Sequence, residues 1–240
     1  MGQQQLYRHL AQYYDLLYSR KNYSQEAHRI TRLISRHKNS EGNELLDVGC
    51  GTGGHLRHLK NRFSCMGVDL HDRMLRIARM ENGGIVFKKA DMIRLDLKKQ
   101  FDAILCLYSA IAYVRTYSNL RKTILNFSKH LKPGGILLID PWFTPSRYKV
   151  GFVHSSTVKR KNTVIAQMHV QKTKGSTAVR IIHYLIAEKD KGVRHFTSRH
   201  EMGLFEIGKT LELMRSAGLR SKFLKRGLLK NRGLFLGIKI

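Results

Sequence analysis

The segment Asp47-Val48-Gly49-Cys50-Gly51-Thr52-Gly53-Gly54 restricts the fold of this chain more than any other. It follows the apolar run ELLDVG (44–49), which reads as a short buried strand, and opens into GHLRHLKN (54–61), which reads as helix. Its glycines permit a tight turn and let a ligand lie close to the backbone. The spacing alone is a weak signal. Gly49, Gly51 and Gly54 also satisfy the dinucleotide fingerprint, and Asp69 ends the next strand where an acid can bind a ribose diol.

The alternation of strand and helix continues along the chain. CMGVDL (65–70), IVFKKAD (85–91), FDAILCLYS (101–109) and GILLIDPW (135–142) read as further strands, and RMLRIARM (73–80) and SNLRKTILNFSKHLK (118–132) as helices. Ahead of them, residues 4–38 read as helical, with Leu6, Leu10, Tyr14 and Leu17 on one stripe, a break near Arg20 to Asn22, and Ala27, Ile30, Leu33 and Ile34 on a second. Strands with nearly continuous apolar cores, separated by helices, specify a parallel sheet covered on both faces. The expected fold is therefore α/β: a doubly wound, Rossmann-like sheet with N-terminal helices.

After Trp142 the period changes to two. VIAQMHVQKT (164–173), TAVRIIHYLIA (177–187) and VRHFTSRHEM (193–202) predict an antiparallel β meander inserted after the fifth strand, followed by a helix over 208–219 with Gly218 near its C-cap and a last strand over 233–240. A single domain is expected over 1–240. Within it, 1–40 forms a helical cap, 41–143 the cofactor-binding core, 144–203 the β insertion, and 204–240 a helix and strand completing the sheet.

A hydrophobic fraction of 42% over 240 residues is enough to fill a core, so the formal charge of +27, from 44 Lys+Arg against 17 Asp+Glu, does not signal disorder. That charge is compatible with a nucleic acid, an anionic surface, a phosphorylated substrate or a basic proteome. Residues 141–200 hold 12 basic and 2 acidic residues, which makes the meander the first place to look for a polyanion preference. Cys50, Cys65 and Cys106 are odd in number and lack metal-ligand spacing, so neither a disulfide scaffold nor a metal site is expected, and a reducing cytoplasm is. The first thirty residues have no signal-peptide core, and Leu6 stands where a myristoylation signal at Gly2 requires Ser or Thr; neither secretion nor a lipid anchor is expected.

Further residues distinguish S-adenosylmethionine (SAM) from a dinucleotide. Asp47 stands two residues before the first glycine, where a carboxylate suits an amino-bearing ligand and repels a pyrophosphate. Asp91-Met92 follows the third strand, where an acid can accept from the adenine amine and a thioether can cover the ring. Phe101-Asp102 starts the fourth strand, and Leu131-Lys132-Pro133-Gly134-Gly135 precedes the fifth. Together these resemble the motif series of class I SAM-dependent methyltransferases. In more detail, YDLLY (14–18), KNYSQEA (21–27), LLDVGCGTGGHL (45–56), GVDLHDRML (67–75), SAIAYVRT (109–116), LKPGGILLIDPWF (131–143), GVRHF (192–196) and RGLFLGI (232–238) are similar to the sugar N-methyltransferases that dimethylate nucleotide-linked deoxyaminosugars in macrolide pathways.

The resemblance implies a cofactor site. Tyr14 and Tyr23 would lie at the methionine end with Asp47, Gly49, Cys50 and Gly51 under the main chain, Asp69 and Leu70 at the ribose, Met74, Met92 and Asp91 at the adenine, and Leu107 and Tyr108 on the wall. Core packing suits Leu107 and Met74 equally well. For the acceptor it implies Tyr113 and Tyr14 beside the amine. An unperturbed phenol, with a pKa of about 10, is a poor general base, so both are assigned to orientation. His183, His195 and His200 are candidate proton acceptors, Trp142 and Phe143 candidate stacking surfaces, and Arg232 a candidate partner for a pyrophosphate.

The reaction so implied is direct attack of a small-molecule amine on the methyl carbon, with no metal. Three other readings are open: an RNA or other polyanion-associated methyltransferase, a SAM-binding protein that transfers nothing, and a methyltransferase for other amines or protein side chains. Against the first, the fourth strand ends in Cys106-Leu107-Tyr108-Ser109 rather than a motif that grips a base amine. By analogy with other inserted meanders, the β insertion is also a candidate homodimer face.

Overall fold

The computed structural model describes residues 4–228 and 232–240; Gly2, named above for its lack of a myristoylation signal, lies outside them. In chain order the main elements are α1 (Tyr14–Leu17), α2 (Tyr23–His37), β1 (Glu44–Val48), α3 (Leu56–Leu59), β2 (Ser64–Asp69), α4 (Asp72–Glu81), β3 (Val86–Lys89), β4 (Phe101–Cys106), α5 (Tyr117–Lys129) and β5 (Leu131–Ile139). The meander comprises β6 (Val153–Arg160), β7 (Thr163–Val170), β8 (Lys172–Lys174), β9 (Thr177–Glu188) and β10 (Gly192–Gly203); α6 (Ile207–Ser216), β11 (Leu219–Leu224) and β12 (Leu234–Lys239) follow.

The main sheet has the order β11-β12-β5-β4-β1-β2-β3, with β1 to β5 parallel and β12 antiparallel to both β5 and β11. β4 is buried at every residue, which is why its sequence is apolar apart from Asp102, whose carboxylate is paired with Lys132 at 2.8 Å. Leu45, Ala103 and Leu105 pack on one face against Ile30 and Ile34 of α2 and Leu75 of α4. Leu46 and Ile104 pack on the other against Ile124 and Phe127 of α5 and Met214 of α6. Asn22 caps α2 by accepting from the Gln25 N–H at 2.9 Å, and Ala27, Ile30 and Ile34 form its buried stripe.

The second sheet has the order β10-β9-β7-β6, with β8 on β9. Its inner face presents Ile165, Ile182, Tyr184 and Ile186, and these bury Leu6, Leu10 and Tyr13 of the N-terminal segment. That segment differs from the expected helix. Residues Gln5–Tyr7 and Ala11–Tyr13 form 3-10 turns, and only Tyr14–Leu17 is α-helical. Tertiary packing decides this: the apolar side chains are drawn onto the meander instead of along a helix axis.

Two strands were not expected as separate elements. β6 alternates half-buried and exposed residues, and β11 carries Arg220 and Lys222 on its exposed positions, so neither shows a continuous apolar core. β11 begins where the expected helix over 208–219 was still running. α6 ends at Ser216, and Gly218, at φ +76°, turns the chain into β11 as its N–H donates to the Arg215 carbonyl. Among the described residues, no helix is long and apolar enough to cross a membrane, and no three His, Cys, Asp or Glu side chains cluster as a metal site.

Candidate active site

β1 lies between β2 and β4, so the chain leaves the sheet in opposite directions from β1 and β4 and opens a crevice at their carboxyl ends. A cavity of about 560 Å3 occupies it, lined by Gly49 and Gly51 after β1, Asp69, Leu70 and His71 after β2, Asp91 and Met92 after β3, and Leu107, Tyr108 and Tyr113 after β4. Met74 of α4 and Tyr7 and Tyr14 of the N-terminal segment complete the wall. Gly49 has φ +75° and a Cβ there would come within 2.8 Å of the Ala110 Cβ, so the turn after β1 requires glycine both for its backbone and for its clearance.

These residues fit SAM. Asp69 accepts from the Gly51 and His71 N–H groups, both at 2.9 Å, which fixes the carboxylate and leaves each oxygen a lone pair for a ribose hydroxyl. Burial nonetheless raises its pKa. Asp91 spends Oδ1 on the Ile93 N–H at 2.9 Å, and the thioethers of Met74 and Met92 face the same cavity. Asp47 is 1% exposed and its Oδ1 has no partner. Burial pushes its carboxyl up to about 7, with nearby Lys21 opposing and Asp69 adding to the rise. An orphaned, half-protonated carboxyl under the glycine turn suits a cationic amino group.

Three expected cofactor contacts stand outside the lining. Cys50 turns its thiol into the core beside Gly67, where burial holds its pKa well above the ordinary value. Tyr23 packs its ring over Gly54 and edge-on to His55. Asp47 lies beneath the turn rather than on the cavity surface.

Across the cavity, where the acceptor residues were expected, Tyr113 bonds Nδ1 of His200 at 2.8 Å and the Tyr7 hydroxyl at 2.9 Å. His200 bonds the Ser198 hydroxyl through Nε2 at 2.9 Å, and Ser198 accepts from the Leu6 N–H at 3.3 Å. The series ties the N-terminal turns to β10. Burial, with Arg180 adding positive charge, pushes His200 down to about 3, so it is neutral and a very weak base. Burial likewise raises Tyr113 to about 12 and Tyr7 and Tyr14 well above the ordinary phenol value.

His183 and His195 leave the set of candidates. Alternation along β9 and β10 puts both on the outer face, where they are exposed, stack at 5.2 Å and share a 3.0 Å hydrogen bond. Trp142, Phe143 and Arg232 do not line the cavity but stand directly behind its wall: Arg232 donates to the Ser109 hydroxyl at 2.8 Å, between Tyr108 and Ala110. The Trp142 indole is flanked by the guanidinium groups of Arg180 at 4.6 Å and Arg232 at 4.5 Å, and Phe143 lies 5.0 Å from Arg232. Trp142 Nε1 and Arg180 Nε are buried without partners.

Sequence reasoning missed Tyr7, Arg180 and Asp140. Asp140 directly follows β5, is 1% exposed with Oδ1 unpartnered, and is pushed by burial to about 7 against the pull of Arg232 and Lys21. An acid directly after a buried strand was the available signal. For Arg180 the signal was its place in the same alternation as Ile182 and Tyr184. Tyr7 had none, because it belongs to no motif.

Comparison with known proteins identifies the family. Residues 45–135 match the family model described as a methyltransferase domain. The chain is 33% identical over 231 residues to the dTDP-3-amino-3,4,6-trideoxy-alpha-D-glucopyranose N,N-dimethyltransferase of Streptomyces venezuelae, covering 95% of this chain and 97% of that one. It superposes on the crystal structure of Streptomyces venezuelae DesVI with a TM-score of 0.90 at 33% identity, covering 96% and 98% of the two chains. On SAM-bound CalS10, an amino pentose methyltransferase from Micromonospora echinaspora, the TM-score is 0.83 at 30% identity, with 92% of each chain covered. A glycine turn built for SAM and a likeness that runs nearly end to end place the chain among the SAM-dependent methyltransferases, in the sugar N-methyltransferase family.

Proposed function

We propose that the acceptor is the amino group of a sugar linked to a nucleotide, and that the cavity holds SAM through Gly49, Gly51, Asp69, Asp91 and Met92 with Asp47 beneath the turn. SAM supplies a methyl group on a sulfonium, whose carbon is attacked directly by the amine lone pair. Such a reaction depends on alignment and exclusion of water. Tyr113 and Tyr14 orient the amine by hydrogen bonding, because phenols with raised pKa values do not take a proton at neutral pH. His200 holds the Tyr113 hydroxyl and is too weak a base to receive the proton, which passes to water.

The observation that carries the acceptor reading is the Arg180–Trp142–Arg232 stack behind the tyrosine wall. Two guanidinium forks beside an indole suit a diphosphate and the ring attached to it. Burial lowers the Arg232 pKa, and Asp140 opposes the shift. Titration calorimetry with a nucleoside diphosphate tests this. Binding that weakens at least tenfold in Arg180→Gln and Arg232→Gln supports it, and equal binding by these variants and the native chain contradicts it.

A further inference from the structure

We propose that a cleft between α2 and α3 is a second binding site, for an extended chain of phosphates, separate from the methyl-transfer cavity. The cleft has a volume of about 740 Å3 and shares no lining residue with that cavity. Arg29, Arg32 and Arg36 of α2, with His58 and Arg62 on and after α3, make its lining basic, and no acidic side chain contributes to it. Arg29, Arg32 and Arg36 recur at spacings of three and four residues, so they form one stripe along about 10 Å of helix.

Some basic side chains elsewhere on this protein are matched, as Arg57 is with Glu81, Lys89 with Asp72 and Lys99 with Glu44. Among the described residues, Arg32, Arg36 and Arg62 have no acidic partner within ion-pair distance. Glu26, the acid within α2, is turned away and bonds His55 at 2.7 Å. Like charges three and four residues apart on a helix repel. A concave surface that retains them without an internal counter-ion is complementary to an external polyanion. Ser24 and Ser35 add hydroxyl groups, which bond phosphate oxygens as well as water. Arg29 is held in place by donating to the Arg226 carbonyl at 2.6 Å, which orders that side of the cleft. The cleft therefore gathers part of the excess charge on one concave surface.

The test is fluorescence anisotropy with the full chain and a labelled single-stranded RNA oligonucleotide, repeated by competition with inorganic polyphosphate. Each phosphate contact on a single strand contributes about 0.7 to the slope of log K against log salt, so contacts from Arg32, Arg36 and Arg62 contribute about 2. Two triple variants are compared: Arg32→Gln/Arg36→Gln/Arg62→Gln in the cleft, and Lys159→Gln/Lys172→Gln/Lys174→Gln on exposed meander positions, which removes the same charge. SAM-binding calorimetry confirms that both are folded. The expected result is a loss of tenfold or more and a slope flattened by about 2 in the cleft variant only. Competition by polyphosphate supports recognition of the phosphates themselves; failure of polyphosphate to compete overturns the assignment to a phosphate chain. Equal losses in the two variants, or none in the cleft variant, overturn the site.

Discussion

The Tyr113 hydroxyl lies 2.8 Å from Nδ1 of His200, and that bond joins the wall of the cavity to the buried face of the meander. Through the Tyr7 hydroxyl, 2.9 Å away on the other side, the same phenol reaches the N-terminal turns. Tyr113→Phe strands both partners in the interior, at a cost of about 1–3 kcal/mol in stability. Turnover with an amine acceptor should fall while the Kd for SAM stays within a factor of about two, because no SAM-binding role depends on that hydroxyl. Unchanged turnover would remove Tyr113 from the acceptor site.

His200 makes stability depend on acid. Its pKa in the folded chain, about 3, lies below the unfolded value, about 6.5, so the unfolded chain binds the extra proton between those limits. The contribution is complete above pH 6.5 and is lost as pH falls towards 3, at up to about 1.4 kcal/mol per unit. Chemical denaturation at pH 7 and pH 5 should show a smaller stability loss for His200→Gln than for the native chain. An identical loss would mean that His200 does not titrate as its burial dictates.

SAM affinity should depend on pH through Asp47. Its carboxyl, pushed to about 7, must be ionised to meet a cationic amino group. Affinity is therefore highest above pH 7 and falls by about tenfold for each unit below it, down towards the pKa of the bound state. Calorimetry in buffers of different ionisation enthalpy should detect proton release on binding at pH 6.5, and Asp47→Asn should abolish it. Proton release that persists in Asp47→Asn would assign it to another group.

Gly49→Ala tests the turn. The substitution places a Cβ at φ +75° and 2.8 Å from the Ala110 Cβ, so the strain is about 1–2 kcal/mol before any clash. Calorimetry should show SAM affinity lowered by more than tenfold in a chain that remains folded by circular dichroism.

Much of this was legible before the fold was known, for reasons that differ from residue to residue. The parallel strands announce themselves because burial on both faces leaves few polar positions, as in Phe101–Cys106, where Asp102 alone is polar. The cofactor cavity was legible because glycines and acids at strand ends have few other uses. The proposed acceptor side was not, because it is assembled by contacts distant in sequence: Tyr7 meets Tyr113, and Arg180 and Arg232 both meet Trp142. The histidines show the boundary between the two cases. Alternation along Thr177–Glu188 already separates His183 from Arg180 and Tyr184, whereas the bond from His200 to Tyr113 depends on how β10 is laid against the residues after β4.

The central claim is methyl transfer from SAM to an amino group on a nucleotide-linked sugar. Mass spectrometry of the nucleotide-sugar, after incubation of the full chain with SAM and a panel of dTDP-linked aminodeoxysugars, tests it most directly. At least one member is expected to gain one or two methyl groups on nitrogen with matching formation of S-adenosylhomocysteine, and Tyr113→Phe is expected to slow the gain. A chain that binds SAM by calorimetry yet methylates no member of the panel would contradict it.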